Sequence, residues 1–547
     1  MNPIVRIATI IAATFLAPAI GLAAAGKVGV IVNAPAGPVK GTTQNGLHVF
    51  KGIPYASAPT GDARWKSPAP VPGWKDPFDA SAFGPACVQP VTGGNIYAET
   101  LSPMSEDCLN LNVWTPKGAR KAPVIVWIHG GTLTRGASSQ IVYDGAALAK
   151  RGVIVVSINY RLGMLGYLAH PELSAESPDG VSGNYGLLDQ IAALKWVKEN
   201  ISAFGGNPGN VTVAGQSAGA LSVLHLMTSP RAKGLFHKAI AQSAYIPSTP
   251  ELKRKRFGMP SAEEEGVHLA GKLGAKTIDA LRAMDAKALT GGPALAGYQP
   301  SATIDGAVLP RQLVDVFDSG EQAAVPVIAG FNSGEIRSLK RMLPPAPANA
   351  GDYEAAIRKG YGELSDAYLK RYPATAIDES LLAATRDAMF GWTSERLGRS
   401  QSAIGQPAFL YFFDHGYPAA DDNGLRAFHA SELPYVFGNL ARTPDSWPKV
   451  PDSKMERDLS EAMMGYWVSF ARDGKPAAAG RPAWRPYLPG KAYMRFADVP
   501  QGGADLLPGM YELHEQVMCR RRAADIPWHK NLGVSAPTMP PPAEGCR

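Results

Sequence analysis

Short apolar runs with no polar face punctuate the chain between residues 122 and 219. Pro123-Val-Ile-Val-Trp-Ile128 ends in His129-Gly130-Gly131, and Gly152-Val-Ile-Val-Val-Ser-Ile158 ends in Asn159-Tyr160-Arg161. Runs of this kind predict strands buried on both faces of a largely parallel sheet, with ligand-binding loops at their C-terminal ends. A short helix is predicted between them over residues 145–150. Leu187, Leu188, Ile191, Leu194, Trp196 and Val197 then recur at near-helical spacing up to Asn200. After the breaker Asn207-Pro-Gly-Asn210, Val211-Thr-Val-Ala214 predicts a further strand, followed by a glycine turn and an apolar helix over 220–227. This β–α–β–α order predicts an α/β fold. Farther on, Val325-Pro-Val-Ile-Ala329 predicts another buried strand, and residues 352–400 predict two or three helices. A Pro-rich tail covers 535–547. No internal repeat and no linker divides the chain, so residues 26–547 are expected to form a single domain.

Composition excludes several classes. The chain has 547 residues, 45% apolar and 18% charged, with mean hydropathy near zero. That charged share lies below the usual value of about 25% and excludes a disordered polyelectrolyte. The net charge of +7 is spread out, and its tightest clusters, at 253–256 and 520–522, are short. No basic stripe interleaved with aromatics marks a nucleic-acid partner. A solvated basic surface is the simplest reading, with a mild attraction for anionic substrates beside it.

The N-terminus changes how the cysteines read. Arg6 precedes an apolar run over residues 7–22, and Ala23-Ala24-Ala25 follows. This pattern predicts a signal peptide over residues 1–25 and a secreted or periplasmic protein. The run is too short and Ala-rich for a membrane span, and no other stretch is long enough. In an oxidising compartment the four cysteines predict two disulfides, and pairing neighbours gives Cys87–Cys108 and Cys519–Cys546. No cysteine or histidine cluster has metal-ligand spacing, so no metal is expected.

The sharpest chemical signal is Gly215-Gln216-Ser217-Ala218-Gly219, which follows a predicted strand and opens a predicted helix. A nucleophile on such a turn needs small neighbours, because its backbone is strained and crowds the sheet. Ser217 is therefore the candidate nucleophile. The N–H of Ala218 at the helix start and the loop His129-Gly130-Gly131-Thr132 are candidate donors to a developing oxyanion. A serine hydroxyl also needs a base, and the base needs a carboxylate. His429, in Phe428-His429-Ala-Ser-Glu432-Leu-Pro-Tyr435, lies late in a polar-aromatic loop and is favoured over His170, His225, His237 and His268. For the acid, Glu335 at the end of the 325–329 strand competes with Asp305 and Asp414.

The chain also resembles the type-B carboxylesterases, the group that includes the cholinesterases. The resemblance is carried by Phe50-Lys-Gly-Ile-Pro-Tyr-Ala56, Met104-Ser-Glu-Asp-Cys-Leu-Asn-Leu-Asn112, Gly183-Asn-Tyr-Gly-Leu-Leu-Asp-Gln190, Ala203-Phe-Gly-Gly-Asn-Pro208 and the Gly215 to Gly219 turn. It implies an α/β-hydrolase fold, a large mostly parallel sheet flanked by helices, with helical insertions around an active-site gorge. It implies Glu335 as the acid, His429 as the base, and Gly131, Thr132 and Ala218 as oxyanion donors. It also implies the Cys87–Cys108 disulfide, the ion pairs Arg64–Glu106 and Arg161–Asp189, and Ser243 as a serine supporting the triad. The chain departs from the pattern at Thr132, where a glycine is usual, and at Gln216, where a glutamate is frequent. The implied activity is hydrolysis of a small-molecule carboxylic ester through an acyl-enzyme, without cofactor. The same machinery would serve an amide, carbamate or lactone, and the filled triad argues against a non-catalytic adhesion module.

Overall fold

The computed structural model describes residues 28–91, 94–101, 103–291 and 295–546. The expected signal peptide lies outside the described residues. Strands β1 (Val28–Ala34), β2 (Gly37–Gln44), β3 (Leu47–Pro54) and β4 (Asn110–Pro116) form an antiparallel edge. The strands β5 (Ala122–Ile128), β6 (Ile154–Ile158), β7 (Gly206–Gln216), β8 (Lys238–Gln242), β9 (Val327–Asn332), β10 (Ala408–Phe413) and β11 (Ala492–Phe496) pair in parallel. β12 (Pro500–Ala504) closes the far edge antiparallel. The order across the sheet is β1-β2-β3-β4-β6-β5-β7-β8-β9-β10-β11-β12, and a short strand, Phe78–Asp79, lies beside β2.

The continuous apolar runs have a direct cause. Both faces of the central strands are covered, so neither alternate set of side chains meets water. Val124, Val126 and Ile128 of β5 join one core, with α1 (Tyr185–Asn200) and α2 (Ala218–Thr228). Ile125 and Trp127 of the same strand join the opposite core, where Leu459, Met463 and Trp467 of a long helix, Lys454–Asp473, cover the sheet. Because β5 lies between β6 and β7, the chain reverses direction of travel across the sheet there. The loops after β5 and β7 consequently open side by side, as a ligand site at such a switch point requires.

The expected strands and helices form with shifts of boundary, except that Asn207-Pro-Gly-Asn210 does not break the chain before the strand. β7 starts at Gly206 and carries these residues as an irregularity in its register with β5, between Gly206 and Val211. Residues 352–400 depart from the expected two or three helices: four are present, Ala350–Tyr361, Ser365–Arg371, Ile377–Arg386 and Trp392–Ala403. Gly362, at φ +53°, and Pro373 break the early part of this segment, and a π-helical turn, Asp387–Gly391, joins the last two helices. Cys87–Cys108 and Cys519–Cys546 are both bonded, closing loops with separations of 21 and 27 residues.

Two ion pairs, one partly and one fully buried, tie loops to this frame. Arg64 grips Glu106 through Nε (2.7 Å) and Nη2 (2.6 Å). Arg161, at the end of the loop after β6, grips Asp189 of α1 through Nε (2.8 Å) and Nη2 (2.7 Å), and its backbone N–H donates to the same carboxylate. Asp189 is fully buried, so neither charge can be solvated if its partner is removed. Asp189→Ala should therefore lower unfolding free energy by about 3–5 kcal/mol, whereas Arg161→Met with Asp189→Leu should recover most of it. Urea denaturation of both variants checks this.

Candidate active site

At Ser217 the chain turns from β7 into α2 in a conformation few L-residues adopt, φ +58° and ψ −125°. Its N–H donates to the Gln242 carbonyl (2.9 Å) and its carbonyl accepts from Leu221 N–H (2.9 Å), which fixes the turn from both sides. The flanking glycines are sterically required. A Cβ on Gly215 would stand 2.5 Å from the Gly219 backbone, and one on Gly219 would stand 2.1 Å from the Ile128 carbonyl oxygen. The strained turn thus presses Ser217 against the end of β5, where the loop His129-Gly130-Gly131-Thr132 begins.

Glu335 stands three residues beyond β9 and is fully buried. Its Oε1 accepts from Ser243 Oγ (2.6 Å) and from the backbone N–H of Asn332 (2.8 Å), and its Oε2 accepts from His429 Nδ1. With Nδ1–H committed to the carboxylate, the imidazole presents Nε2 as a lone pair. That lone pair receives the Gln216 carboxamide, Nε2 to Nε2 at 3.1 Å. Gln216 therefore does more than delete a negative charge: it engages the imidazole directly. Ser243 thus lies in hydrogen-bond contact with Glu335.

The competing candidates lie elsewhere. Asp305 accepts three backbone N–H groups (Ala307, Val308 and Leu309) and the Asn184 side chain, so it holds a turn together. Asp414 pairs with Arg495 at 2.5 Å. His225 is buried inside α2, and burial pushes its imidazole down to about 3. His129 stacks on Tyr160 and donates from Nδ1 to the Gly130 carbonyl; burial pushes it down to about 4, so it stays neutral. His170 and His237 accept backbone N–H groups from Glu172 and Val211, and His268 is exposed.

Two further residues join this cluster without a sequence signal of their own. Glu432 accepts from Gln242 (2.9 Å) and Asn332 (2.7 Å), and burial together with the nearby Glu335 charge raises its pKa. Two buried carboxylates cannot both ionise cheaply, and Glu432 is pushed toward its neutral form. The Tyr97 hydroxyl donates to the His429 carbonyl (2.8 Å) and pairs with the Ser338 hydroxyl (2.7 Å), fixing the loop that carries His429.

In the loop after β5, Gly131 has φ +108°, and a Cβ there would overlap the Arg135 carbonyl oxygen at 2.1 Å. Thr132 also has positive φ, +57°, an unusual place for a β-branched residue. Its Oγ1 donates to the Gly131 carbonyl (2.7 Å) and pairs with Thr134 Oγ1 (2.8 Å). No hydrogen bond from the N–H of Gly131, Thr132 or Ala218 to another described residue is present. Ser217, His429 and this loop open on a cavity of about 1540 Å³, whose wall includes His529 and Asn531 from the segment closed by Cys519–Cys546. Ser248 N–H and Oγ hold His529 Nδ1 at 3.0 and 2.7 Å. Among the described residues no cluster of His, Cys, Asp and Glu could hold a metal, and no helix is long and apolar enough to cross a membrane.

The sequence pattern of the Carboxylesterase family matches residues 29–506. A fumonisin B1 esterase from Sphingopyxis macrogoltabida is 37% identical over 506 residues, 88% of this chain and 89% of that one. A para-nitrobenzyl esterase from Bacillus subtilis is 37% identical over 460 residues, 82% of this chain and 90% of that one. A solved PNB esterase structure superimposes with a TM-score of 0.76 at 33% identity, covering 88% of this chain and 99% of that one. The fold is that of the carboxylesterase α/β-hydrolases, and the chain belongs to the carboxylesterase family of carboxylic ester hydrolases.

Proposed function

We propose that this enzyme cleaves esters through a Ser217–His429–Glu335 triad and an acyl-enzyme. The observation that carries the reading is the buried Glu335–His429 pair meeting the strained Ser217 turn across Gln216. His429 Nε2 takes the Ser217 proton as Oγ attacks the ester carbonyl, and Glu335 stabilises the imidazolium. The N–H groups of Gly131, Thr132 and Ala218 receive the oxyanion. The imidazolium returns the proton to the departing alcohol, and water, deprotonated by the same histidine, releases the acid. Access of Nε2 to Oγ requires the Gln216 carboxamide to yield its hydrogen bond. Export as one domain over residues 26–547 completes the proposal, supported by two disulfides of the kind that persist in oxidising compartments.

Replacing Ser217, Glu335 or His429 singly by Ala should lower kcat on p-nitrophenyl esters by about 10³-fold or more, with far-ultraviolet circular dichroism unchanged. Near-normal activity of Glu335→Ala, with loss in Asp305→Ala or Asp414→Ala, would overturn the acid assignment.

The Thr132 hydroxyl is committed to Gly131 and Thr134, which leaves the side chain as a wall beside the oxyanion position rather than an extra donor. Thr132→Gly should raise the ratio of kcat/KM on tert-butyl acetate to that on ethyl acetate. A uniform fall in kcat toward the roughly 10²-fold typical of a lost oxyanion donor would show instead that the hydroxyl donates.

A further inference from the structure

Past residue 506, where the family pattern stops, the chain returns to wall the cavity that Ser217 opens into. The Trp528 indole N–H donates to the Ile246 carbonyl (3.0 Å), and its ring meets Phe257 edge-on at 5.0 Å. Next to it, His529 Nδ1 lies 3.0 Å from the Ser248 backbone nitrogen and 2.7 Å from the Ser248 hydroxyl oxygen. A backbone N–H can only donate, so Nδ1 is the acceptor and the neutral imidazole carries its proton on Nε2. That Nε2–H bonds to no described residue and is not sealed in the interior, and His529 lines the cavity. Burial, with the Lys530 cation nearby, pushes the imidazole down to about 3, so it stays an uncharged donor.

Resting on the reading of that cavity as the ester site, we propose that His529 is a specificity-determining residue, whose Nε2–H receives an uncharged hydrogen-bond acceptor carried by the substrate away from the scissile carbonyl.

Placement sets the remoteness of that acceptor. From His429 the wall runs to Phe390, with ring centroids 5.5 Å apart, and on to Tyr245, a further 6.2 Å. Tyr245 opens the stretch 245–248 whose last residue holds His529, and Phe390, Tyr245 and Ser248 all line the same cavity. The apolar body of a substrate can lie along this aromatic wall, with an oxygen beyond it meeting the imidazole. The donor is also fixed before a ligand arrives. Ser248 grips one edge of the ring, Trp528 is buried beside it, and farther on Gly533 N–H donates to the Tyr361 hydroxyl (3.0 Å). Cys519–Cys546 closes the segment. A preorganised donor loses little entropy on binding, and it discriminates because a ligand lacking the acceptor leaves it unpaired. A histidine serving only to hold the segment would need Nδ1 alone. Recognition of an anion would run instead through the exposed Lys530 beside it.

Two series of esters test this. p-Nitrophenyl ω-methoxyalkanoates against p-nitrophenyl alkanoates of equal chain length place the oxygen on the acyl side; acetates of ω-methoxyalkanols against alkyl acetates of equal length place it on the alcohol side. In at least one series the ether-to-alkane ratio of kcat/KM should peak at one spacer length, about three- to tenfold above its value at the shortest, the yield of one neutral hydrogen bond. His529→Phe should flatten the peak, and His529→Gln, whose carboxamide N–H replaces Nε2–H, should retain part of it. Added salt should leave the peak unchanged, because the donor is uncharged. Taking the ratio cancels any general loss from disturbing the C-terminal segment. A flat ratio in both series, a peak that survives His529→Phe, or one that salt erodes would overturn the assignment. Turnover of neither member of any pair would sink the reading of the cavity as an ester site, and the assignment with it.

Discussion

Backbone meets backbone without room for a side chain where β7, α2 and the end of β5 converge. The Gly215–Gly219 and Gly219–Ile128 approaches are both closer than any Cβ permits. This contact forces the positive φ of Ser217 and sets the loop after β5 beside the start of α2. The rest of the site is arranged around it. Gly130 faces the Gln216 carbonyl oxygen at a distance that also excludes a Cβ, so the loop after β5 cannot move away from the turn without opening a void. The strain at Ser217 is sustained by the fully buried strands on either side, whose two cores hold β5 and β7 in register.

Behind the turn lies a polar network in an otherwise apolar interior. Glu335 takes hydrogen bonds from a serine, a backbone amide and the histidine, while Glu432 takes two from carboxamides. Gln242 passes the network on to the Trp467 indole in the long helix on the far face of the sheet. Such a network rigidifies only when nearly complete. Here the two carboxylates share Asn332, whose backbone serves one and whose side chain serves the other, so the loop after β9 sets both distances together. The orientation of His429 is consequently a property of the sheet as much as of its own loop.

Local order in the chain explains what could be read in advance. The turn at Ser217 was legible because strand, glycine turn and helix are contiguous, and the two-sided burial of β5 and β6 shows as uninterrupted apolar runs. Which carboxylate pairs with His429 was not separable from the residues alone. Glu335, Asp305 and Asp414 compete on similar grounds in the sequence, and only a contact spanning 94 positions, to His429, distinguishes the first; the resemblance supplied it. Gln216 read as a missing charge, whereas its contact with His429 spans 213 positions. His529 reaches Ser248 across 281 positions, so the contribution of the C-terminal segment to the cavity wall left no local pattern.

Covalent chemistry at one oxygen, Ser217 Oγ, is the step on which every proposed role depends. Incubating the purified protein with a fluorophosphonate ester, then measuring residual activity and mapping the adduct by peptide mass spectrometry, addresses it directly. One equivalent should abolish hydrolysis, and the added mass should fall on Ser217, in the peptide containing Gly215-Gln-Ser-Ala-Gly219. Full activity with Ser217 modified, or inactivation with the adduct on another residue, would contradict it.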